Sequence, residues 1–219
     1  MSRPLRFLGS SLCHKAAVPM FYGAAAFGGD VVAARERRCR VKFDSIVNQP
    51  VIEAERLILR PLRRSDAGLL DMYASDERVA RMTRTIPHPL PPGATEAFVA
   101  KALSEERNED VWVMDGSAKG LAEFLGMIAL EEMDREQSEI GYWVAPAFWN
   151  TGLASEAVNA LVEANPKDNR TMFASIFQDN PISARVVINA GFEYLGDAEA
   201  FSVARGAPVP TWTYLKRYR

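Results

Sequence analysis

The sequence has little cysteine and little histidine, two of each in 219 residues. Cys13 and Cys39 are too few to staple a small secreted fold. Neither they nor the histidines cluster at ligand spacing, so no metal is expected, and a reducing, cytoplasmic setting is the default. Apolar runs are short: none approaches the roughly 18 residues of a transmembrane helix, so no membrane role is expected. There is no cationic excess either, and with a net charge of -2 the chain is a poor match for nucleic acid. Neither a P-loop nor a GxGxxG turn occurs, which removes the usual support for a nucleoside triphosphate or dinucleotide site. Internal repeats and low-complexity segments are missing as well.

What is present is the composition of an ordinary globular protein, 48% hydrophobic and 25% charged. The charge is unevenly placed. Residues 1–50 carry eight Lys and Arg against three Asp and Glu, a balance of +5, while residues 51–219 carry 18 against 25, a balance of -7. An acidic body suits a cationic partner. We therefore divide the chain into an N-terminal extension, 1–50, and one domain, 51–219. The extension lacks acidic residues up to Gly29 and is small or apolar from Ala16 to Gly28, as a transit or signal peptide would be. Pro19 and Gly23 interrupt that run, and the expectation is a poorly ordered tail or a start assigned ahead of Met20.

From Pro50 onward regular elements follow one another. Leu57 and Leu59 alternate with Arg56, Ile58 and Arg60 and predict a strand over 55–61, after which Ser65 and Asp66 supply the N-cap of a helix. The proline-rich stretch 86–93 excludes helix and central strand, and Thr95 opens a second helix. Strands are predicted at 110–114, 124–131 and 138–145, joined by turn residues into an antiparallel meander. A helix after Gly152, a strand at 171–177, a short helix at 182–190 and strands at 192–201 and 211–218 complete a mixed α/β pattern on one sheet. The triplet Asn169-Arg170-Thr171 matches a glycosylation acceptor but lacks a secretory context.

The most specific segment is Phe148-Trp149-Asn150-Thr151-Gly152-Leu153-Ala154-Ser155-Glu156-Ala157, a turn between a strand and a helix. Glycine there permits a tight turn, and the first helical turn directs unpaired N–H groups outward, a ready anion site. A glycine needed for the turn alone would look the same. A second segment follows, Asn180-Pro181-Ile182-Ser183-Ala184-Arg185, ending in Gly191-Phe192.

Together with Gly141-Tyr142-Trp143-Val144, these segments resemble the GNAT family of N-acetyltransferases, in particular the branch containing the ribosomal-protein N-terminal acetyltransferases. Glu55-Arg56-Leu57-Ile58-Leu59-Arg60-Pro61-Leu62 and Ile86-Pro87-His88-Pro89 resemble that branch's opening strand and proline-rich loop, so that the resemblance spans residues 53–217. Asn150 stands where the branch often has Gly, and Asn189 where it usually has Lys. The resemblance implies an acyl-CoA acyltransferase fold, a mostly antiparallel sheet with one splayed parallel pair. It implies acetyl-CoA between the strands carrying Trp143 to Ala145 and Ala174 to Phe177, with Pro146 favouring the opening. Backbone N–H groups of Asn150, Thr151, Gly152, Leu153, Ala154 and Ser155 would hold the pyrophosphate, Trp143 and Val144 would pair with the pantetheine arm, and Trp149, Asn180, Ser183 and Arg185 complete the cofactor set. Asn180 as a turn residue and Ser183 as a helix cap are the bland alternatives.

The implied reaction is attack of a primary amine on the thioester, with backbone donors near Val144 stabilising the oxyanion and Ser183 protonating the thiolate. Glu139 is the candidate base, directly or through a water, with Glu131 in reserve; a solvated strand glutamate is the alternative. His88 and Tyr142 are candidates for substrate contact. The expected acceptor is a protein N-terminus, the competing acceptor a small amine such as an aminoglycoside or polyamine, and a CoA-binding interaction module is the non-enzymatic reading. A monomer or homodimer without nucleic acid or membrane partners is expected.

Overall fold

The computed structural model describes residues 49–218, and the extension assigned to 1–50 lies almost wholly outside them. Strand β1 (Ile52–Glu53) and β2 (Ile58–Pro61) pair antiparallel, and β2 leads through a 3-10 turn into α1 (Ala67–Ala74) and α2 (Glu77–Ala80). After α3 (Ala94–Ala102) come β3 (Glu109–Asp115), β4 (Gly126–Met133) and β5 (Gln137–Val144), then α4 (Leu153–Ala164), β6 (Thr171–Phe177), α5 (Pro181–Asn189), β7 (Glu193–Ser202) and β8 (Ala207–Arg217). Among the described residues one sheet contains all eight strands, in the order β1-β2-β3-β4-β5-β6-β8-β7. Every neighbouring pair is antiparallel except β5 and β6.

Strand alternation sends successive side chains to opposite faces, and each face meets its own helices. Leu59, Trp112, Met114, Ile128, Leu130, Ile140, Val144, Met172 and Ala174 share a core with Leu153, Ala157, Val158 and Leu161 of α4 and with Ala184 and Val187 of α5. On the opposite face Val111, Val113, Met127 and Ala129 pack with Leu70 and Ala74 of α1 and Val99 of α3. The turn before β4 brings that strand very close to β5. A Cβ on Gly126 would lie 2.2 Å from the Trp143 carbonyl oxygen, so only glycine fits.

Several expectations need correction. The strand predicted over 55–61 is shorter, and a separate β1 precedes it; α2, four residues long, carries too short a pattern to be read. Asp66 does not cap α1 with its side chain. Its carboxylate instead receives Arg60, whose Nη1 and Nη2 donate at 2.8 and 2.9 Å while Nε donates to Asp115 at 2.7 Å. Arg60 is 2% exposed. Burial works against its charge, but the bonds to Asp66 and Asp115 outweigh that and raise its pKa. α3 begins one residue before Thr95, at Ala94, with Gly93 at its N-cap position, and Thr95 in its first turn donates to Asp71. Asn169 is 3% exposed and accepts from Ser138 at 2.8 Å, which removes it as a glycosylation site.

Arg60→Ala strands two carboxylates in the interior. It is expected to cost about 3–5 kcal/mol of stability, read as a lower urea midpoint at unchanged slope.

Candidate active site

β5 and β6 are paired only at Gln137↔Thr171, Ser138↔Met172 and Glu139↔Phe173. Beyond that β5 continues alongside β4 as far as Gly126↔Val144, and β6 alongside β8 as far as Phe177↔Thr211. Each strand keeps its outer partner, so a gap opens between Ile140–Val144 and Ala174–Phe177. The parting begins well before Pro146, which heads a 3-10 turn, Pro146–Phe148, after the strand has ended. Pro146 therefore does not cause the opening. Ala145 N–H donates to Leu125 in the direction of β4. By backbone alternation, the polar groups of Val144 and Tyr142 point the other way, into the gap.

The gap leads to the loop between β5 and α4. Trp149 Nε1 donates to the Val144 carbonyl at 2.6 Å, and Thr151 Oγ1 donates to the Phe148 carbonyl at 2.6 Å. The Trp149 indole N–H is thus spent bracing the end of β5. Asn150 (φ 61°) and Gly152 (φ 83°) both adopt the left-handed conformation, which Asn tolerates better than most residues and Gly without strain. The chain then enters α4, whose first-turn N–H groups at Leu153, Ala154 and Ser155 lack intrahelical partners by construction.

On the α4 and α5 side, Asn180 caps α5 by accepting from the Ser183 N–H at 3.2 Å. The Ser183 hydroxyl lies 2.8 Å from the Tyr142 hydroxyl, which also bonds the Ser183 carbonyl at 3.0 Å. Burial pushes the Tyr142 phenol up to about 12, against a smaller downward pull from Ser183, so the phenol is neutral at ordinary pH. Arg185 is exposed on α5.

The opposite face carries the acidic groups. Glu109, Glu131 and Glu139 stand directly abreast on β3, β4 and β5. Arg84, in the linker after α2, spans two of them, with Nη2 3.2 Å from Glu131 and Nη1 3.3 Å from Glu139. The Glu139 side chain is only 17% exposed, so it is a paired carboxylate rather than a solvated one. Desolvation, and then the charge of Glu131, raise the pKa of Glu109. Tyr142 is directed away from this row, to the face where Ser183 sits, and His88 is exposed in the linker between α2 and α3. Nearby, the Asp76 carboxyl is held low, first by its hydrogen bond from Arg78.

The family model described as an acetyltransferase (GNAT) domain matches residues 56–193. The chain belongs to the GNAT acetyltransferases. It is 28% identical over 173 residues to an uncharacterized N-acetyltransferase, YoaA, of Bacillus subtilis (strain 168), covering 75% of this chain and 95% of that one. Its fold matches the ribosomal-protein-S5-alanine acetyltransferase of Vibrio fischeri with a TM-score of 0.63 at 20% identity, over 77% of this chain and 97% of that one. It also matches the spermidine N-acetyltransferase of Vibrio cholerae, solved with CoA and spermine, with a TM-score of 0.61 at 17% identity, over 73% and 95%.

As a GNAT enzyme the chain is an acetyl-CoA-dependent N-acetyltransferase. Among its described residues no helix is long and apolar enough to cross a membrane. The GNAT fold brings Val144, the loop 149–155, Asn180, Ser183 and Tyr142 around one gap and leaves His88 and Arg185 at the surface. Sequence reasoning missed Arg84, because nothing in its own segment marks a linker arginine as the partner of strand residues about fifty positions on.

Glu109 offers a test of the acidic row. A raised carboxyl pKa contributes stability that is fully present below the ordinary carboxylate range and lost as pH rises through the folded value. Glu109→Gln should therefore melt higher than wild type at pH 7 and level with it near pH 4, by calorimetry at both pH values.

Proposed function

We propose that this acetyltransferase acetylates the α-amine of a protein N-terminus, with acetyl-CoA lying across the gap between β5 and β6. The single observation that carries the reading is the arrangement on the two sides of that gap. Glu139 stands on the α1 and α3 face, Ser183 on the α4 and α5 face, and the loop 149–155 closes one end. An amine approaching from the acidic face meets Glu139 as proton acceptor, directly or through a water, and departing sulfur on the far side meets the Ser183 hydroxyl. The Val144 N–H points into the same gap and suits the developing oxyanion. Tyr142 acts through Ser183 and is not a substrate contact. The loop 150–155 is the pyrophosphate site, with its N–H groups at the start of α4.

The chemistry of the acceptor favours an N-terminus. At pH 7 roughly one in ten α-amino groups is already neutral, against roughly one in 2,500 lysine side chains, so modest base assistance is sufficient. Arg84 offsets part of the negative charge of the glutamate row, which lowers its match to a polyamine carrying several positive charges. A small cationic amine is the second reading, supported by the acidic row itself and by the spermidine acetyltransferase among the fold neighbours.

Two measurements test the proposal. In acetyl-transfer assays at fixed acetyl-CoA, peptides with free Ala, Ser or Met N-termini should exceed spermidine and spermine in kcat/KM; polyamine preference overturns the acceptor, and no turnover on either class overturns the enzymatic reading of the site. Glu139→Gln should lower kcat about 100-fold with little change in the KM for acetyl-CoA. Calorimetry supplies the second measurement: Gly152→Asp, which places a carboxylate on a left-handed residue in the anion loop, should weaken acetyl-CoA binding by about 100-fold or more.

A further inference from the structure

Anion binding at the start of α4 has a built-in opponent. Glu156 lies in the opening turn of that helix with a side chain only 14% exposed, and its charge opposes any phosphate drawn to the neighbouring N–H groups. Arg56 reaches it from the turn between β1 and β2. Its backbone N–H donates to Glu156 Oε1, its Nε donates to Oε2 at 2.7 Å, and its Nη1 donates to the Thr151 carbonyl at 3.0 Å. Nη2 lies 3.5 Å from the point a Cβ on Gly152 would occupy. One guanidinium thus covers the carboxylate, binds the carbonyl that would otherwise turn a negative dipole end outward, and sits against the glycine of the loop. Its side chain is still 44% exposed, so part of it remains open to solvent beside the loop.

We infer that Arg56 is a positioning residue for acetyl-CoA: by neutralising Glu156 and binding the Thr151 carbonyl, it turns the 150–155 loop into a net attractor of phosphate. The inference rests on the reading of that loop as the pyrophosphate site. The role is electrostatic, and so it acts on the phosphate-bearing part of the donor and not on the acetyl transfer itself. Glu156 is then the cost of anchoring Arg56, and removing each partner should have opposite effects.

The experiment compares two acetyl donors on the full chain, acetyl-CoA and S-acetylpantetheine, which lacks every phosphate. Taking the ratio of kcat/KM for the two donors cancels a general loss of folded enzyme. In Arg56→Ala that ratio should fall about tenfold, as expected when a carboxylate is left unpaired beside a bound anion. In Glu156→Gln it should rise about threefold, and in the double variant it should return to within about threefold of wild type. The same order should appear in acetyl-CoA affinities by calorimetry, with the difference between wild type and Arg56→Ala shrinking as salt is raised. A ratio unchanged in Arg56→Ala overturns the inference. So does a fall in Glu156→Gln equal to that in Arg56→Ala, because the pair would then be a strut whose charge is immaterial. A wild-type enzyme that uses both donors equally well overturns instead the pyrophosphate reading on which the inference stands.

Discussion

β5 is held by β4 along its whole length but by β6 for only three residue pairs, and the geometry of the site follows from that inequality. A sheet interior normally has no unpaired backbone, because buried N–H and C=O groups without partners are costly. Here the Val144 N–H and the backbone polar groups of Tyr142 face a gap between two of the eight described strands, a position that favours an extended ligand. Trp149 bonds the Val144 carbonyl and so steadies the strand end nearest the loop.

The pleat of β5 then divides the chemistry. Odd positions carry Glu139 toward α1 and α3, and even positions carry Tyr142 toward α5. A carboxylate and a hydroxyl are thereby kept on opposite faces of the sheet beside one opening. The buried phenol of Tyr142, neutral because its pKa lies at about 12, holds the Ser183 hydroxyl without adding charge beside it. On the other side Arg84 keeps the glutamate row from being a bare cluster of like charges.

Two further ion clusters fix the frame. The Arg60 guanidinium, bonded to Asp66 and Asp115, ties the end of β2 to the end of β3 and to the turn that launches α1. Arg205, in the tight connection between β7 and β8, donates to Asp179 and to the Arg81 carbonyl and lies 4.9 Å over the ring of Phe177. It fastens the hairpin tip both to the linker that carries Arg84 and to the residue before Asn180.

Much of this was legible in the linear order of residues. The strand at 171–177 has the bounds read from its pattern, the other main strands and helices fall within a few residues of theirs, and the tight turn read before α4 has Asn150 and Gly152 left-handed. These features are local: hydrophobic period, turn chemistry and caps act over a few residues. The elements missed, β1 and α2, are too short to carry a period. What a local reading does not supply is a partner far along the chain or on the other face. Asp66 has the spacing of a cap but is captured by Arg60; Tyr142 adjoins the motif but turns to Ser183; Glu139 has the neighbours of a solvated strand residue but meets Arg84; Arg56 and Glu156 are 100 positions apart. The sequence alone determined the main elements, the family and the tight turn before α4. Tertiary structure decided where β5 and β6 part, which face each side chain takes and which charges are paired, because those depend on strand register and on contacts between segments far apart in the chain.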